Sequence, residues 1–364
     1  MVYGIVAEYN PFHNGHKYLI EQVKKNDDIV VAVMSGNFVQ RGDFAIMTKW
    51  ERAKTALENG VDLVIELPTP FALKSAEGFA KGAIETLHAT SIIDTLVFGA
   101  ETADDEAIMQ TAKKLCDDET NEIIKAEMKS GSSFAAARQK ALGISLLETP
   151  NNILAVEYAK AIQTIDDCNI AVKSVKRIGT GHDEHKQSEY PSASMIRLTM
   201  QDSDSACLMK NCERAVLAKL RTMDMNDFAM IEDVSEGLEN RIYEAVKKAK
   251  SIDEIYDTIK CKRYAHSRIR RIIMRAYLGI KENDFPYIPY LKILGFNEKG
   301  QQALKMMKGK ATLPIVCQYA DAKAVGGYAL ECFNRESVFT DLHALGYRQI
   351  RDCSAEMTQK VIKV

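Results

Sequence analysis

The sequence predicts an α/β protein: a doubly wound parallel sheet, followed by a mostly α-helical C-terminal domain. Two observations predict this fold class. In the first half, short apolar segments of strand length alternate with segments of helical periodicity, which is typical of a parallel sheet with helical crossovers. Beyond about residue 202, helical segments follow one another with few strand signals between them. We therefore expect residues 1–202 and residues 203–364 to form two domains.

The predicted strands of the first half are short and apolar, although the last one is more polar. They span residues 2–7, 29–34, 62–66, 95–98 and 169–176. Helices are predicted between them at 16–25, 49–59, 75–89 and in a longer set within 104–161. Because right-handed crossovers bring the carboxyl ends of parallel strands to one edge, we expect a ligand to bind there.

The second half is predicted to be helical at residues 207–223, 230–249, 252–259 and 266–278. Residues 287–290, Tyr-Ile-Pro-Tyr, interrupt this pattern, and mixed, mostly helical sequence continues to residue 364.

Composition excludes several classes of protein. With 46% hydrophobic and 27% charged residues, the chain resembles an ordinary globular protein. Its longest apolar segments are too short to cross a bilayer, and Glu8 and Asn10 interrupt the N-terminal one, so we expect a cytoplasmic protein without a signal peptide. The eight cysteines form no C-x-x-C pair, which indicates reduced thiols. The net charge of −2 does not by itself predict a nucleic-acid partner.

The most informative motif is the H-x-G-H tetrad from His13 to His16, between the first predicted strand and the first predicted helix. A helix N-terminus offers free N–H groups and partial positive charge to phosphate, and Gly15 allows close backbone approach. Two imidazoles can donate hydrogen bonds to phosphate oxygens during nucleotidyl transfer. The alternative is that the histidine only caps the helix, in a turn that binds no metal.

A second candidate phosphate site follows the fifth predicted strand. Ser192, Ser194 and Arg197 place two hydroxyls and a guanidinium at the start of a predicted helix. The hydroxyls can cap the helix or bind phosphate, and the planar guanidinium can hold phosphate with two hydrogen bonds. Taken alone, the segment predicts a plain cap with a surface arginine. Together with the upstream tetrad, it predicts a phosphate site.

These motifs carry a family resemblance. The pairing of H-x-G-H with a downstream S-x-S-x-x-R resembles the HIGH-type nucleotidyltransferases, which have a Rossmann-like core. The segments 8–16, 35–42, 48–53, 98–101, 150–154 and 177–179, and 264–271 in the second half, are similar to the bacterial tRNA(Met) cytidine acetate ligase family. Ser194 stands where superfamily members often carry threonine, and the hydroxyl is retained.

The resemblance implies a reaction in two steps. Acetate attacks the α-phosphate of ATP to give acetyl-adenylate, and N4 of the wobble cytidine of elongator tRNA(Met) then takes the acetyl group. It implies catalytic roles for His13, His16, Ser194 and Arg197. The ATP-binding residues that it implies are Val6, Ala7, Glu8, Tyr9, Asn10, Pro11, Phe12, His13, Asn14, Gly15, His16, Lys17, Tyr18, Leu19, Gly99, Asn152 and Arg177.

Metal ligation by the protein is not predicted. Mg²⁺ is expected to accompany the ATP phosphates without a dedicated protein cage. His182 and His185 have a spacing that suggests a metal site, but no further ligand is evident, and a polar loop is the preferred interpretation.

The second half contains a basic segment. Residues 260–275 include seven lysines and arginines and no acidic residue, which suits RNA phosphates. Arg268, Arg271 and Arg275 would share one helix face, and charge reversal at Arg268 or Arg271 is expected to weaken RNA binding without affecting acetate activation. The alternative is a solvated face balanced by acidic residues upstream. The predicted RNA-binding residues are Lys262, Arg263, Arg268, Arg270, Arg271 and Arg275.

Two other functions are compatible with the tetrad. One is a small-metabolite nucleotidyltransferase, which would act without RNA and would not need a second domain with many arginines. The other is a non-catalytic RNA-binding protein that has lost the reaction, against which the intact set of His13, His16, Ser194 and Arg197 argues. The oligomeric state is not predicted.

Overall fold

The computed structural model describes residues 1–132, 134–178, 192–261 and 264–364. Its centre is a mostly parallel sheet with helices on both faces. The strands are β1 (Val2–Ala7), β2 (Ile29–Ser35), β3 (Phe38–Val39), β4 (Asp43–Phe44), β5 (Leu63–Leu67), β6 (Thr95–Ala100), β7 (Ala171–Lys176), β8 (Leu291–Phe296), β9 (Ile315–Val316) and β10 (Ile362–Lys363).

Helices make up most of the remaining described chain. Short 3₁₀ turns lie at Leu146–Glu148 and Met209–Cys212. The α-helices are α1 (Asn14–Glu21), α2 (Lys49–Glu58), α3 (Thr69–Ala72), α4 (Ala76–Ala89), α5 (Asp105–Cys116), α6 (Asp118–Lys129), α7 (Phe134–Leu142), α8 (Pro150–Thr164), α9 (Ala193–Met200), α10 (Glu213–Arg221), α11 (Met225–Ala229), α12 (Leu238–Lys248), α13 (Ile252–Ile259), α14 (His266–Leu278), α15 (Glu298–Met307), α16 (Tyr319–Val325), α17 (Gly327–Ala344) and α18 (Ala355–Thr358).

The order of strands in the sheet locates the ligand crevice. The order is β10-β8-β5-β2-β1-β6-β7, with β9 also paired to β8, and β3 and β4 form a separate hairpin. The chain runs outward from β1 through β2 to β5 and then returns to β6 on the other side of β1. This reversal opens a crevice at the carboxyl ends of β1 and β6, where open α/β sheets bind their ligands.

The central strands are apolar because both of their faces are covered. All seven residues of β2 and all five of β5 are buried. Parallel strands between two layers of helices have no solvent-facing side, so β2 is apolar from Ile29 to Met34 rather than alternating. A rigid sheet therefore supports the loops that follow β1 and β6.

The predicted fold class is confirmed, and the five predicted strands correspond to β1, β2, β5, β6 and β7. Strand β8 was missed. It pairs antiparallel with β5 and parallel with β9 and β10, so residues after 290 extend the sheet of the first half. Lys292 and Gly295 interrupt the apolar pattern of β8, so the strand could not be distinguished from the helical segments around it. The division at residue 202 stays a prediction.

No helix in the described ranges is long and apolar enough to cross a membrane.

Candidate active site

Helix α1 follows the loop after β1, and its N-cap is His13. The Nδ1 atom of His13 accepts a hydrogen bond from the backbone N–H of Gly15 at 3.1 Å. A Cβ atom on residue 15 would lie 2.9 Å from Cε1 of His13, so glycine makes room for this ring over the first turn. The capping interpretation of His13 is thus correct, and it does not exclude a ligand-binding role.

His16 completes a capping box with His13. Its Nδ1 atom accepts from the backbone N–H of His13 at 3.2 Å, and the two rings stack with centroids 3.8 Å apart. Because each Nδ1 accepts a hydrogen bond, each neutral ring must carry its proton on Nε2. The capping bonds therefore leave each ring with an Nε2–H donor for a ligand.

Electrostatics keep both histidines neutral. Burial, reinforced by Arg177 and Arg197, lowers the pKa of His13 to about 4. Burial, together with His13 and Arg177, lowers the pKa of His16 well below its usual value. Near neutral pH the pair thus consists of two uncharged hydrogen-bond donors.

This protonation state predicts that histidine titration will not affect the reaction near neutral pH. Since a lowered pKa delays protonation until acid pH, both rings stay neutral between about pH 8 and pH 6, where an ordinary histidine would gain charge. Any acetate activation that uses these rings should therefore show no histidine titration in that range. Acetate-dependent exchange of labelled pyrophosphate into ATP measures it, and a rate that changes with a midpoint near pH 6.5 would contradict the assignment.

The serine-arginine segment lies beside the loop that carries the tetrad. Ser192 caps α9 through the backbone N–H of Met195. Arg197 donates from Nη1 to the carbonyl oxygen of Asn10 at 2.7 Å and from Nη2 to Oγ of Ser194 at 3.0 Å. The loop after β1 and helix α9 thus bring His13, His16, Ser194 and Arg197 to one crevice.

The end of β6 forms the other wall of the crevice. A Cβ atom on Gly99 would lie 3.2 Å from Cγ of Arg177, so glycine leaves room for the arginine stem. Arg177 itself is exposed, immediately after β7. The buried Asn152 accepts at Oδ1 from the backbone N–H groups of Glu101 and Thr102. Asn152 therefore shapes the loop after β6, while Asn151 binds the Glu101 carboxylate.

The remaining residues of the predicted ATP-binding segment lie at the end of β1, in the loop that follows it and in α1. Val6 and Ala7 end β1, while Asn14, Lys17, Tyr18 and Leu19 belong to α1. Tyr9 and Phe12 contact the ring of His16, and Oδ1 of Asn10 accepts from the N–H of Ile46. Pro11 follows a cis peptide bond. Asn10 and Tyr9 are buried in the turn that carries the histidines, and their contact with ATP stays a prediction.

A buried arginine ties the strand ends together. Arg52 donates to the carbonyl oxygens of Glu8, Ser35 and Gly36, which joins the ends of β1 and β2. Neither Arg52 nor this role was predicted. A usable signal was present, because Arg52 shares the face of α2 that bears Ala53 and Ala56, where a cation needs internal partners.

The basic segment of the second half is only partly an open surface. The Arg271 and Arg275 side chains are only 9% and 3% exposed, and they pair with Asp233 and Glu232. The prediction that they form an uncompensated basic face is wrong, because the acidic partners come from an upstream loop. Charge reversal at Arg271 would bury an unpaired carboxylate and disturb the fold, not only RNA binding.

Other members of the basic segment remain accessible. Arg270 is 35% exposed, with Nη1 3.6 Å from a carboxylate oxygen of Asp43, and Arg268 donates to the carbonyl oxygen of Asp233. The β3–β4 hairpin joins this helix to the crevice: a Cβ on Gly42 would lie 2.4 Å from the carbonyl carbon of Arg270. Lys262, Arg263, His182 and His185 lie outside the described residues.

The described residues contain no group of three or more His, Cys, Asp or Glu side chains that could hold a metal ion.

Comparison with known proteins identifies the family. The HIGH Nucleotidyl Transferase family model matches residues 1–212 and 199–357. A tRNA(Met) cytidine acetate ligase of Thermoanaerobacter sp. (strain X514) is 36% identical over an aligned length of 403, and the alignment covers 100% of both chains. Another, from Thermosipho melanesiensis, is 36% identical over 86% of this chain and 84% of the relative. The chain belongs to the tRNA(Met) cytidine acetate ligase family.

Solved structures of this family agree with the fold. The apo crystal structure of Thermotoga maritima TmcAL matches with a TM-score of 0.91 and 32% identity, over 100% of this chain and 99% of that one. The structure of the same protein bound with alpha-thio ATP matches with a TM-score of 0.90 and 31% identity, with the same coverage. The predicted family resemblance is thereby confirmed.

Proposed function

We propose that this protein is an ATP-dependent ligase that makes acetyl-adenylate and transfers its acetyl group to N4 of the wobble cytidine of elongator tRNA(Met). The observation that carries this proposal is similarity over the whole chain to tRNA(Met) cytidine acetate ligases, including the helices that follow the nucleotide-binding half. A small-metabolite nucleotidyltransferase would not require those helices.

In the first step, an acetate oxygen attacks the α-phosphorus of ATP and pyrophosphate leaves. The N-terminus of α1 carries partial positive charge, and His13 and His16 offer their Nε2–H donors, so negative charge can be stabilised on the α-phosphate oxygens. Because the donors are held by capping bonds before ATP arrives, little reorganisation is needed during the reaction.

Pyrophosphate departs toward the serine-arginine segment. Arg197 is fixed by the carbonyl oxygen of Asn10 and by Ser194, which leaves the remaining guanidinium N–H groups for phosphate oxygens. Arg177, exposed on the opposite wall, supplies a second cation. Neither group needs to act as a nucleophile, because acetate itself attacks phosphorus.

Magnesium is expected to enter with ATP. Since the described residues offer no three-ligand group, ATP phosphates and water would provide most of the ligands. The ion would neutralise charge on the phosphates.

The tRNA is expected to contact cations on both sides of the crevice. We define the basic rim as Arg41, Lys176, Arg268 and Arg270. Arg41 and Lys176 are exposed at the hairpin tip and at the end of β7, and Arg268 and Arg270 are half-buried on α14. Such a rim can hold RNA phosphates while the target base enters the crevice.

Substitution of Arg270 by glutamine should weaken tRNA binding about threefold to tenfold and reduce the salt slope of log affinity by ~0.7–0.9. The cause is loss of one phosphate contact, so acetate activation without tRNA should remain. Filter binding at several salt concentrations measures both quantities. Lys81→Gln is the control, because Lys81 is an exposed cation on α4 that does not belong to the rim. An unchanged salt slope in Arg270→Gln would remove Arg270 from the RNA surface.

The function as a whole is tested by incubating the purified protein with ATP, labelled acetate and tRNA. Label should appear in N4-acetylcytidine of elongator tRNA(Met). Pyrophosphate release with another acid or a phosphorylated metabolite, and no label in RNA, would favour the small-metabolite enzyme.

A further inference from the structure

The proposed acetyl transfer needs a proton acceptor. When N4 of cytidine attacks the acetyl carbon, a C–N bond forms, the C–O bond to AMP breaks, and AMP leaves with that bonding pair. The nitrogen must lose one proton to become an amide. An exocyclic amine of cytosine is a weak nucleophile, so a base near the crevice would help this step.

The two histidines of the site cannot serve as this base. Their Nδ1 atoms already accept hydrogen bonds from the backbone of His13 and Gly15, and their Nε2 atoms carry protons. Arginines and lysines of the crevice are charged and have no free lone pair. Burial raises the pKa of Tyr9 and Tyr158, so these phenols keep their protons, and a carboxylate is the class of side chain that suits this step.

Glu8 is a carboxylate in a suitable position. It lies immediately after β1, in the turn that leads to His13, and its side chain is half-buried. Its Oε1 atom accepts from the backbone N–H of Gln40 at 2.7 Å, and Arg52 holds its carbonyl oxygen. Among the described residues, Oε2 has no hydrogen-bond donor. One oxygen thus fixes the carboxylate and the other is available.

Two nearby carboxylates are less suitable. Both oxygens of Glu101 are occupied, by Nδ2 of Asn151 and by the backbone N–H of Asn152, and these bonds outweigh burial and lower its pKa. Asp43 faces Arg270 on α14, with Oδ1 bonded to the N–H of Phe44. Glu8 instead belongs to the loop that carries the catalytic histidines.

We propose that Glu8 accepts the proton from N4 of the target cytidine during acetyl transfer, through its free Oε2 atom. This inference rests on the proposed function and adds a catalytic residue to its second step. The Gln40 N–H that orients Glu8 comes from the tip of the β3–β4 hairpin, next to Arg41 of the basic rim. The base would therefore sit where the RNA-facing hairpin meets the nucleotide crevice.

The charged and titratable groups around Glu8 suit a base that works near neutral pH. Arg52 approaches from α2, Arg41 from the hairpin tip, Arg197 from α9 and Tyr158 from α8. Burial raises the pKa of Glu8 above its ordinary value, while the Gln40 N–H and the arginines oppose that rise. A raised pKa makes the carboxylate more basic, and transfer should slow as the pH falls through it.

The test separates the two steps. Acetate activation is followed by pyrophosphate exchange, and transfer by single-turnover reaction of enzyme-bound acetyl-adenylate with tRNA. Glu8→Gln keeps the shape and the acceptor for Gln40 but removes the base. We expect the transfer rate to fall ~10²–10⁴-fold, and by at least ~10-fold more than the activation rate. The decrease of the transfer rate at low pH, its acid limb, should also disappear from the pH profile.

The controls make the outcome decisive. Asp43→Asn removes a different carboxylate of the hairpin and should retain the acid limb. A transfer rate like that of wild type in Glu8→Gln, or equal losses in both steps, would overturn the inference, as would wild-type transfer with no acid limb. Wild-type protein that fails to acetylate tRNA at all would instead overturn the proposed function.

Discussion

Replacement of His16 by alanine is expected to slow acetyl-adenylate formation by ~10²–10³-fold, the usual effect of removing one preorganised donor from a developing charge. The Nε2–H of His16 is lost, and so is the Nδ1 acceptor that completes the capping box with His13. His13→Ala should have an effect of the same order, because the two rings are stacked and act on the same phosphate. Acetate-dependent pyrophosphate exchange measures the step directly.

The matched control for this prediction is His88→Ala, since His88 lies in the last turn of α4 and has no place in the crevice. It should retain wild-type exchange. The His16 variant should still bind tRNA, because the basic rim is unchanged. A rate within about threefold of wild type after His16→Ala would remove the tetrad from the chemistry and favour a purely structural cap.

Replacement of Lys49 by methionine is expected to destabilise the fold by ~3–5 kcal/mol, the cost of leaving buried carboxylates without their cation. The Lys49 ammonium is fully buried, with Nζ 2.7 Å from Glu66 and 2.6 Å from Glu356. Although burial disfavours its charge, Glu356, Glu66 and Glu336 hold its pKa above the usual value. Urea unfolding near pH 7 measures the loss.

The effect should be large because the buried charge cluster of Lys49, Glu66, Glu356 and Lys292 connects distant parts of the chain. Glu66 is on β5, Glu356 on α18, and Lys292 on β8 approaches Glu356 at 3.4 Å. Burial and the nearby Glu66 raise the pKa of Glu336, a further carboxyl beside Lys49.

Lys54→Met, at an exposed position of the same helix, is the control and should change stability by less than about 0.5 kcal/mol. If Lys49→Met were no less stable than this control, the cluster would not hold the C-terminal helices to the sheet.

Much of the sheet could be predicted from the sequence because its buried strands are continuous apolar segments between turn signals. The position of the tetrad at a strand-to-helix junction also predicted where His13 and His16 would lie. These features are local in sequence. Strand β8 could not be placed in the same way, because its partner β5 is more than 200 residues away and its pattern includes Lys292.

Contacts between distant segments explain the other differences between the predictions from sequence and the structure. Helical periodicity correctly puts Arg268, Arg271 and Arg275 on related turns, but it does not say what faces them. Glu232 and Asp233, from another loop, cover Arg271 and Arg275. Likewise, Glu8 and Gln40 are 32 residues apart, and their hydrogen bond follows from the meeting of β1 with the hairpin. Burial of a charge depends on tertiary partners that periodicity does not encode.

In the proposed reaction, acetate attacks the α-phosphate of ATP before the acetyl group reaches tRNA. Acetate labelled with ¹⁸O in both carboxyl oxygens tests it most directly, with mass spectrometry of the AMP and of the acetylated nucleoside. We predict one ¹⁸O atom in each AMP and one in each acetyl group, because the bridging oxygen stays with phosphorus when the C–O bond breaks. Unlabelled AMP, or label in inorganic phosphate instead, would contradict an acetyl-adenylate intermediate in this site.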